Sequence, residues 1–263
     1  MLTPKIIFFD IDDTIYQKSG DILRPSVLQA MLALKQQGIL TAISTGRPFA
    51  AIPPKVHDVI RQAGIDLIMT TNGQIIRHRG EILDKQPLDK AKIEKMCVFL
   101  ENRKIPYAFV ADHTIAVSES VPLVEDALTG IIPDYPTDKY FYRNHDVFQM
   151  LVFYPEHQDI VSSEAAKYGY KTVRWHPNAV DMLDISSSKA RGIRHALSLL
   201  AIKPEQTMAF GDGLNDIEMM QAVGFGVAMG NGHPELKAAA DYICPAVGED
   251  GIFKGLQALK LIA

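Results

Sequence analysis

Three carboxylates fall within four positions of one another near the start of the chain: Asp10, Asp12 and Asp13, directly after the apolar run Ile6-Ile7-Phe8-Phe9. One residue separates Asp10 from Asp12, so a single turn can aim both at one point. Two carboxylates that close repel each other unless a cation or a proton lies between them. Magnesium suits such a site, because it takes oxygen ligands and accepts few of them from protein. A second acidic cluster, Gly211-Asp212-Gly213-Leu214-Asn215-Asp216, follows the short apolar run Met208-Ala209-Phe210, and its glycines allow close backbone approach. Between these lie three polar clusters. Thr45-Gly46-Arg47 ends the apolar run 39–43, and its hydroxyl and exposed backbone can bond phosphate oxygens. Taken alone, Thr45 serves equally as a helix N-cap, and Arg47 as either a phosphate fork or a surface ion-pair partner. Asn72, in Thr71-Asn72-Gly73, makes a turn or faces a substrate. Ser186-Ser187-Ser188-Lys189 opens a helical pattern, and a helix N-terminus with a lysine beside it favours phosphate. The same four residues also read as a serine cap followed by a surface lysine.

These clusters need elements to hold them. The run 6–9 is too short and too apolar for an exposed helix and reads as a strand buried on both faces, with Asp10 at its carboxyl end. A helix over 22–37 carries Val27, Ala30, Met31 and Leu34 at helical spacing and stops at Gly38; a second apolar run follows at 39–43. This is a βαβ unit. A helix over 55–63 and a strand over 65–69 repeat it, and ligands of such sheets bind at the carboxyl ends of the strands. After about Gly80 the pattern turns to hairpins and meanders with fewer helices: strands at 107–110, 114–117, 148–153, 171–175 and 180–185, and helices at 90–102, 121–128 and 156–168. The sequence therefore predicts a Rossmann-like, doubly wound parallel α/β core in two parts, 1–82 and 184–263, interrupted by an inserted α+β cap over 83–183.

Composition narrows the partners. The 263-residue chain is 47% hydrophobic with a formal charge of −4, and it has no basic block. That argues against nucleic-acid and anionic-membrane binding. The N-terminal apolar run is too short for a secretion signal, and no stretch is long enough to cross a bilayer. Cys97 and Cys244 stand apart from each other, which fits a reducing cytoplasm and offers no thiolate metal site. Gly230 and Gly232 lack the context of a dinucleotide-binding loop, and no nucleotide phosphate loop is present.

The order of the clusters resembles the haloacid-dehalogenase superfamily of phosphatases, in its Cof-type branch with a large α+β cap of the class called C2B. Asp10-Ile11-Asp12-Asp13-Thr14 matches the family's Asp-x-Asp-x-Thr motif, Thr45 its second motif, Lys189 its third, and residues 211–216 its Gly-Asp-Gly-x-Asn-Asp motif. The serines before Lys189 depart from the commoner glycine-containing form. The resemblance implies a magnesium-dependent hydrolase of small phosphomonoesters, acting as a monomer or homodimer. Asp10 would attack phosphorus to form an aspartyl-phosphate, and Asp12 would protonate the leaving alcohol and then deprotonate water. Magnesium would be held by Asp10, Asp12 through its backbone carbonyl, Asp212 and Asp216. Asp216 and Asn215 would also position metal-bound water or hold Lys189, and Asn215 would contact the substrate. Thr45, Gly46 and Lys189 would bind the transferring oxygens, with Arg47 and Asn72 as further substrate contacts. Cap residues Tyr107, His113, Tyr140, Tyr142, His145, Trp175 and His176 are candidates for reading the leaving group. A phosphomutase shares these residues. A phosphoacceptor switch pairs similar ones but has no use for a cap of this size, and a ligand-binding module remains the reading without chemistry.

Overall fold

The computed structural model describes residues 3–263. In chain order its strands are β1 (Ile6–Phe9), β2 (Leu40–Ser44), β3 (Leu67–Thr70), β4 (Ile75–His78), β5 (Glu81–Lys85), β6 (Tyr107–Val110), β7 (Ile115–Val117), β8 (Gln149–Phe153), β9 (Tyr170–His176), β10 (Ala179–Asp184), β11 (Thr207–Gly211), β12 (Phe225–Ala228) and β13 (Tyr242–Ile243). The α-helices are α1 (Pro25–Gln36), α2 (Pro54–Ala63), α3 (Lys90–Glu101), α4 (Pro122–Leu128), α5 (Val161–Lys167), α6 (Lys189–Leu200), α7 (Ile217–Ala222), α8 (Pro234–Ala239) and α9 (Gly251–Ala258). No described helix is long and apolar enough to cross a membrane.

Contacts divide the chain into two units. The first holds the chain through Gly46, Ile52–Lys85 and Ser188–Ala263; the second holds Arg47–Ala51 and Gln86–Ser187. The first unit is built on a sheet of order β13-β12-β11-β1-β2-β3-β4-β5. Its strands from β13 to β3 run parallel, and β4 and β5 are added antiparallel. All four residues of β1 are buried, as a central strand covered on both faces requires. Phe9 stacks on Phe210 of the neighbouring strand, with ring centroids 5.2 Å apart. On one face, Ile6, Phe8, Leu67 and Met69 pack with Ile193, Leu197, Met219 and Leu236. Burying an aliphatic or phenyl side chain of this size contributes about 1.5–3 kcal/mol, so this layer fixes β1 firmly at the centre.

The second unit carries an antiparallel sheet of order β7-β6-β8-β10-β9, with α3 and α5 beside one cluster of buried side chains and α4 beside another. This is the expected α+β layer, but its limits differ from 83 and 183. Residues 81–85 form one edge strand of the first unit's sheet, so Leu83 lies inside that strand. At the other end, β10 runs on to Asp184 and is followed by a turn in which Ser187 N donates to Asp184 O at 2.9 Å. Residues 47–51 also join the second unit, where Ala50 N donates to Asp112 O at 3.1 Å. The helix expected over 156–168 is broken: Asp159 accepts from Val161 N and Ser162 N and so restarts it at Val161. Tyr107 and Tyr142 are core residues of this unit rather than surface readers of a substrate.

Candidate active site

Four adjacent parallel strands, in the order β11-β1-β2-β3, present their carboxyl ends on one edge of the sheet. Register places Phe9 beside Phe210 and Ile43, and Ile43 beside Ile68. The segments leaving those strands therefore carry Asp212, Asp10, Thr45 and Asn72 side by side, at strand spacings of about 4.8 Å. Helix α6 starts against the same edge. Gly73 and Gly192 touch backbone to backbone: a Cβ on Gly192 would lie 2.7 Å from Gly73 Cα, and one on Gly73 would lie 2.7 Å from Ser188 O. Two absent side chains thus let the first turn of α6 close on the turn that carries Asn72. Ser188 caps the helix by accepting from Arg191 N at 3.2 Å. The serine-cap reading holds for Ser188, but Lys189 does not lie on the surface. It is 1% exposed and points into the strand-end cluster.

Lys189 Nζ donates to Asp10 Oδ1 and to Asp216 Oδ1, at 2.6 Å each. Asp216 Oδ2 accepts from the backbone N–H groups of Asp212 and Gly213, both at 3.0 Å. Both oxygens of Asp216 are therefore engaged, and its carboxylate rests where a side chain on Gly211 would stand. Thr14 Oγ1 donates to Asp212 Oδ1 at 3.1 Å. One oxygen from each of Asp10, Asp212 and Asp216 lies within 4.8 Å of the others. The carboxylate of Asp12 is not in that group. Asp12 leaves the strand one residue beyond Ile11 and pairs with Tyr16 through the backbone.

Burial dominates the electrostatics. It pushes the Asp10 carboxyl well above the usual range; the Lys189 ammonium opposes this, and Asp216, Asp12 and Asp212 reinforce it. Burial, then Asp216, pushes Asp212 up to about 7, against the pull of Lys189. For Lys189 burial works toward loss of the proton, but Asp10 and Asp216 outweigh it and hold the amine above its ordinary value. Three carboxylates against one ammonium leave two uncompensated negative charges when all are ionised. That deficit, surrounded only by hard oxygen donors, fits a divalent cation of the magnesium type.

The remaining expected residues are placed as follows. Thr45 is buried; its N–H donates to Met69 O at 2.9 Å and its carbonyl accepts from Asn72 N at 3.0 Å. Asn72 lies against Gly46, where a Cβ would be 3.3 Å from Asn72 Oδ1, and that oxygen accepts from Asn215 Nδ2 at 3.5 Å. Arg47 falls in the second unit, and its Nη1 donates to Ala51 O at 2.6 Å. Thr14, as the partner of Asp212, and the glycine pair 73/192 escaped reading from the sequence. The signal for Thr14 was its place in the first motif; the glycines carry none without the fold.

The glycine contact makes a testable point. Gly192→Ala is expected to destabilise the protein by about 1–3 kcal/mol, as overpacking against backbone does. It should also lower kcat, because Lys189 opens the same helix. Urea unfolding and steady-state kinetics measure both; unchanged values would show that the approach of α6 does not set the site.

The family of haloacid dehalogenase-like hydrolases matches residues 7–256, and the chain belongs to it and is a hydrolase of that type. It is 36% identical over 261 residues to YkrA of Bacillus subtilis (strain 168), covering 98% of each chain. A crystal structure of a Geobacillus kaustophilus HTA426 protein superposes with a TM-score of 0.89 at 36% identity, over 98% of this chain and 100% of that one. The subclass IIB sugar phosphatase BT4131 superposes at 0.86 with 31% identity, over 98% and 100%.

Proposed function

We propose that the protein hydrolyses small-molecule phosphomonoesters, of a sugar or of a cofactor, in a magnesium-dependent reaction through an aspartyl-phosphate on Asp10. The observation that carries this reading is the buried Asp10–Lys189–Asp216 chain beside Asp212, three carboxyls gathered around a single ammonium. Asp10 Oδ1 is held by Lys189. The other oxygen is left to attack phosphorus in line: the Oδ2–P bond forms, the ester P–O bond breaks, and Asp12 gives its proton to the leaving alcohol. Asp12 then takes a proton from water, whose oxygen displaces the Asp10 carboxylate and releases orthophosphate. Thr45 Oγ1, Gly46 N–H and the Lys189 ammonium supply donors and charge to the transferring oxygens. Asn72 and Asn215 flank the same edge and contact the substrate. Asp10, Asp212 and the Asp12 carbonyl would hold the metal, with Asp216 beside them but bound to Lys189; the cation, when present, offsets the repulsion between carboxylate and phosphate.

Discrimination among leaving groups is assigned to the second unit, since every residue given a chemical role apart from Arg47 lies in the first. Likeness to the subclass IIB sugar phosphatase and the antiparallel α+β insert support placing the chain in the Cof-type branch with a C2B cap, and favour a sugar phosphate. A reducing, cytoplasmic setting accords with Cys97 and Cys244 being free and buried, with burial pushing each thiol up to about 12. Release of phosphate from a panel of sugar, nucleotide and cofactor monophosphates tests the function. Turnover of one class well above the rest is expected, and no turnover of any would contradict it.

The metal can be tested without turnover. Asp212 has a folded carboxyl near 7, above its unfolded value, so its proton contributes stability below about pH 4 that is lost as pH rises through about 7. Magnesium competes for the ionised form. The rise in Tm on adding Mg2+ to chelated protein should therefore be larger at pH 8 than at pH 5.5. An increment independent of pH would place the ion elsewhere.

A further inference from the structure

The run Gly230-Asn231-Gly232, between β12 and α8, has no part in the chemistry above, yet it touches two segments of the site and ties them to the segment 246–247. Asn231 Nδ2 donates to Asp13 O at 2.8 Å, and Asn231 Oδ1 accepts from Val247 N at 2.8 Å. On its C-terminal side, His233 N donates to Asp212 O at 2.8 Å, and a Cβ on Gly232 would lie 3.2 Å from that same oxygen. On the other side, Gly230 lies against the segment before Val247, since a Cβ there would be 2.7 Å from Ala246 N.

Asp13 is the residue between Asp12 and Thr14, and its φ of 52° is left-handed. Such a conformation is uncommon for a residue with a side chain, although Asp tolerates it better than most, and it persists where its surroundings hold it. The turn holds itself from within: Ile11 O accepts from Thr14, Ile15 and Tyr16 N–H groups, and Asp13 N donates to Tyr16 O at 2.7 Å. Its outward carbonyl is held from another segment by Asn231. That carbonyl belongs to the peptide joining Asp13 to Thr14, so its rotation would change the backbone angles of Asp13, which directly follows Asp12, and of Thr14, whose hydroxyl bonds Asp212.

We infer that Asn231 is a positioning residue for proton transfer by Asp12, acting through the Asp13 carbonyl. The inference rests on the assignment of Asp12 as general acid. Asn231 is itself exposed, so its replacement leaves no cavity in the core. Asn231→Ala removes both bonds, and Asn231→Asp keeps the acceptor for Val247 while losing the donor to Asp13.

The test compares kcat/KM, which reports the steps through formation of the aspartyl-phosphate, on two esters. An alkyl phosphate such as glycerol phosphate needs its leaving oxygen protonated, whereas para-nitrophenyl phosphate leaves as a stable phenolate. Both Asn231 variants are expected to lose on the order of 10- to 100-fold on the alkyl ester and less than about threefold on the aryl ester, with Tm close to wild type. Asp12→Asn, measured alongside, should show the same bias. If it does while the Asn231 variants lose equally on both esters, or on neither, the inference falls and the role of Asp12 stands. A bias in Asn231→Ala but not in Asn231→Asp would move the effect to Val247 and also overturn it. If Asp12→Asn itself loses equally on both, the acid assignment fails and the inference with it.

Discussion

Replacing Asp10 by asparagine is expected to lower kcat by a factor on the order of 10⁴ or more while the protein stays folded. An amide oxygen of the same shape cannot attack phosphorus and leave again as a carboxylate, so the two-step route is closed, and losses of this size are usual when a nucleophile is removed. Folding survives because Lys189 keeps its second partner, Asp216, at 2.6 Å. Removing one buried carboxyl also relieves a site in which Asp216, Asp12 and Asp212 all push on Asp10. The variant should therefore unfold cooperatively and show a smaller rise in Tm with Mg2+ than the wild type, because one ligand charge is gone. Steady-state kinetics and thermal unfolding with and without chelator measure both. Wild-type turnover in a folded Asp10→Asn protein contradicts the assignment.

The second large effect belongs to Lys189. Its side chain has no exposed surface and lies between Asp10 and Asp216. Lys189→Met preserves most of the volume and deletes the charge, leaving buried carboxylates with no counter-ion. Breaking a buried pair in this way costs about 3–5 kcal/mol. Activity should fall by roughly 10²- to 10³-fold or more, since in the proposed mechanism the ammonium also meets the charge of the transferring phosphoryl group. The pH dependence has a definite sign. In the wild type the raised carboxyls of Asp10 and Asp212 already favour the folded protein when protonated. Without the lysine that pulls them down, the stability they give at low pH is lost over a wider range as pH rises. Chelated Lys189→Met should thus be closer to wild type in urea at pH 5 than at pH 8. A variant equally stable at both would mean that the lysine does not neutralise this cluster.

Much of the site is legible from residues alone because parallel α/β sheets gather their strand ends on one edge. Ile6–Phe9 ends at Asp10, Leu40–Ser44 at Thr45 and Thr207–Gly211 at Asp212, so finding each strand also locates its candidate site residue. Pairing across the chain is less legible. Asp216 could be read as a metal ligand or as a partner of Lys189, and only the fold shows both its oxygens taken by Lys189 and two backbone N–H groups. The limits of the insert were misplaced for a physical reason: a hairpin reads the same whether it extends the core sheet or begins a new layer. Residues 81–85 extend it. Residues 47–51 carry no pattern that would assign them to the second unit. Close backbone contacts such as Gly73 against Gly192 leave no periodicity in a sequence, because what matters there is a side chain that is absent.

The central claim is that the phosphoryl group passes through Asp10. The direct measurement is acid quenching of the enzyme within its first turnovers, in the presence of Mg2+ and its best phosphomonoester, followed by peptide mass analysis. One phosphoryl group is expected on the peptide containing Asp10, lost when the reaction runs past exhaustion of the substrate and absent from Asp10→Asn. Turnover at full rate with the phosphoryl group on another residue, or on none at any quench time short enough to precede hydrolysis, would contradict the claim.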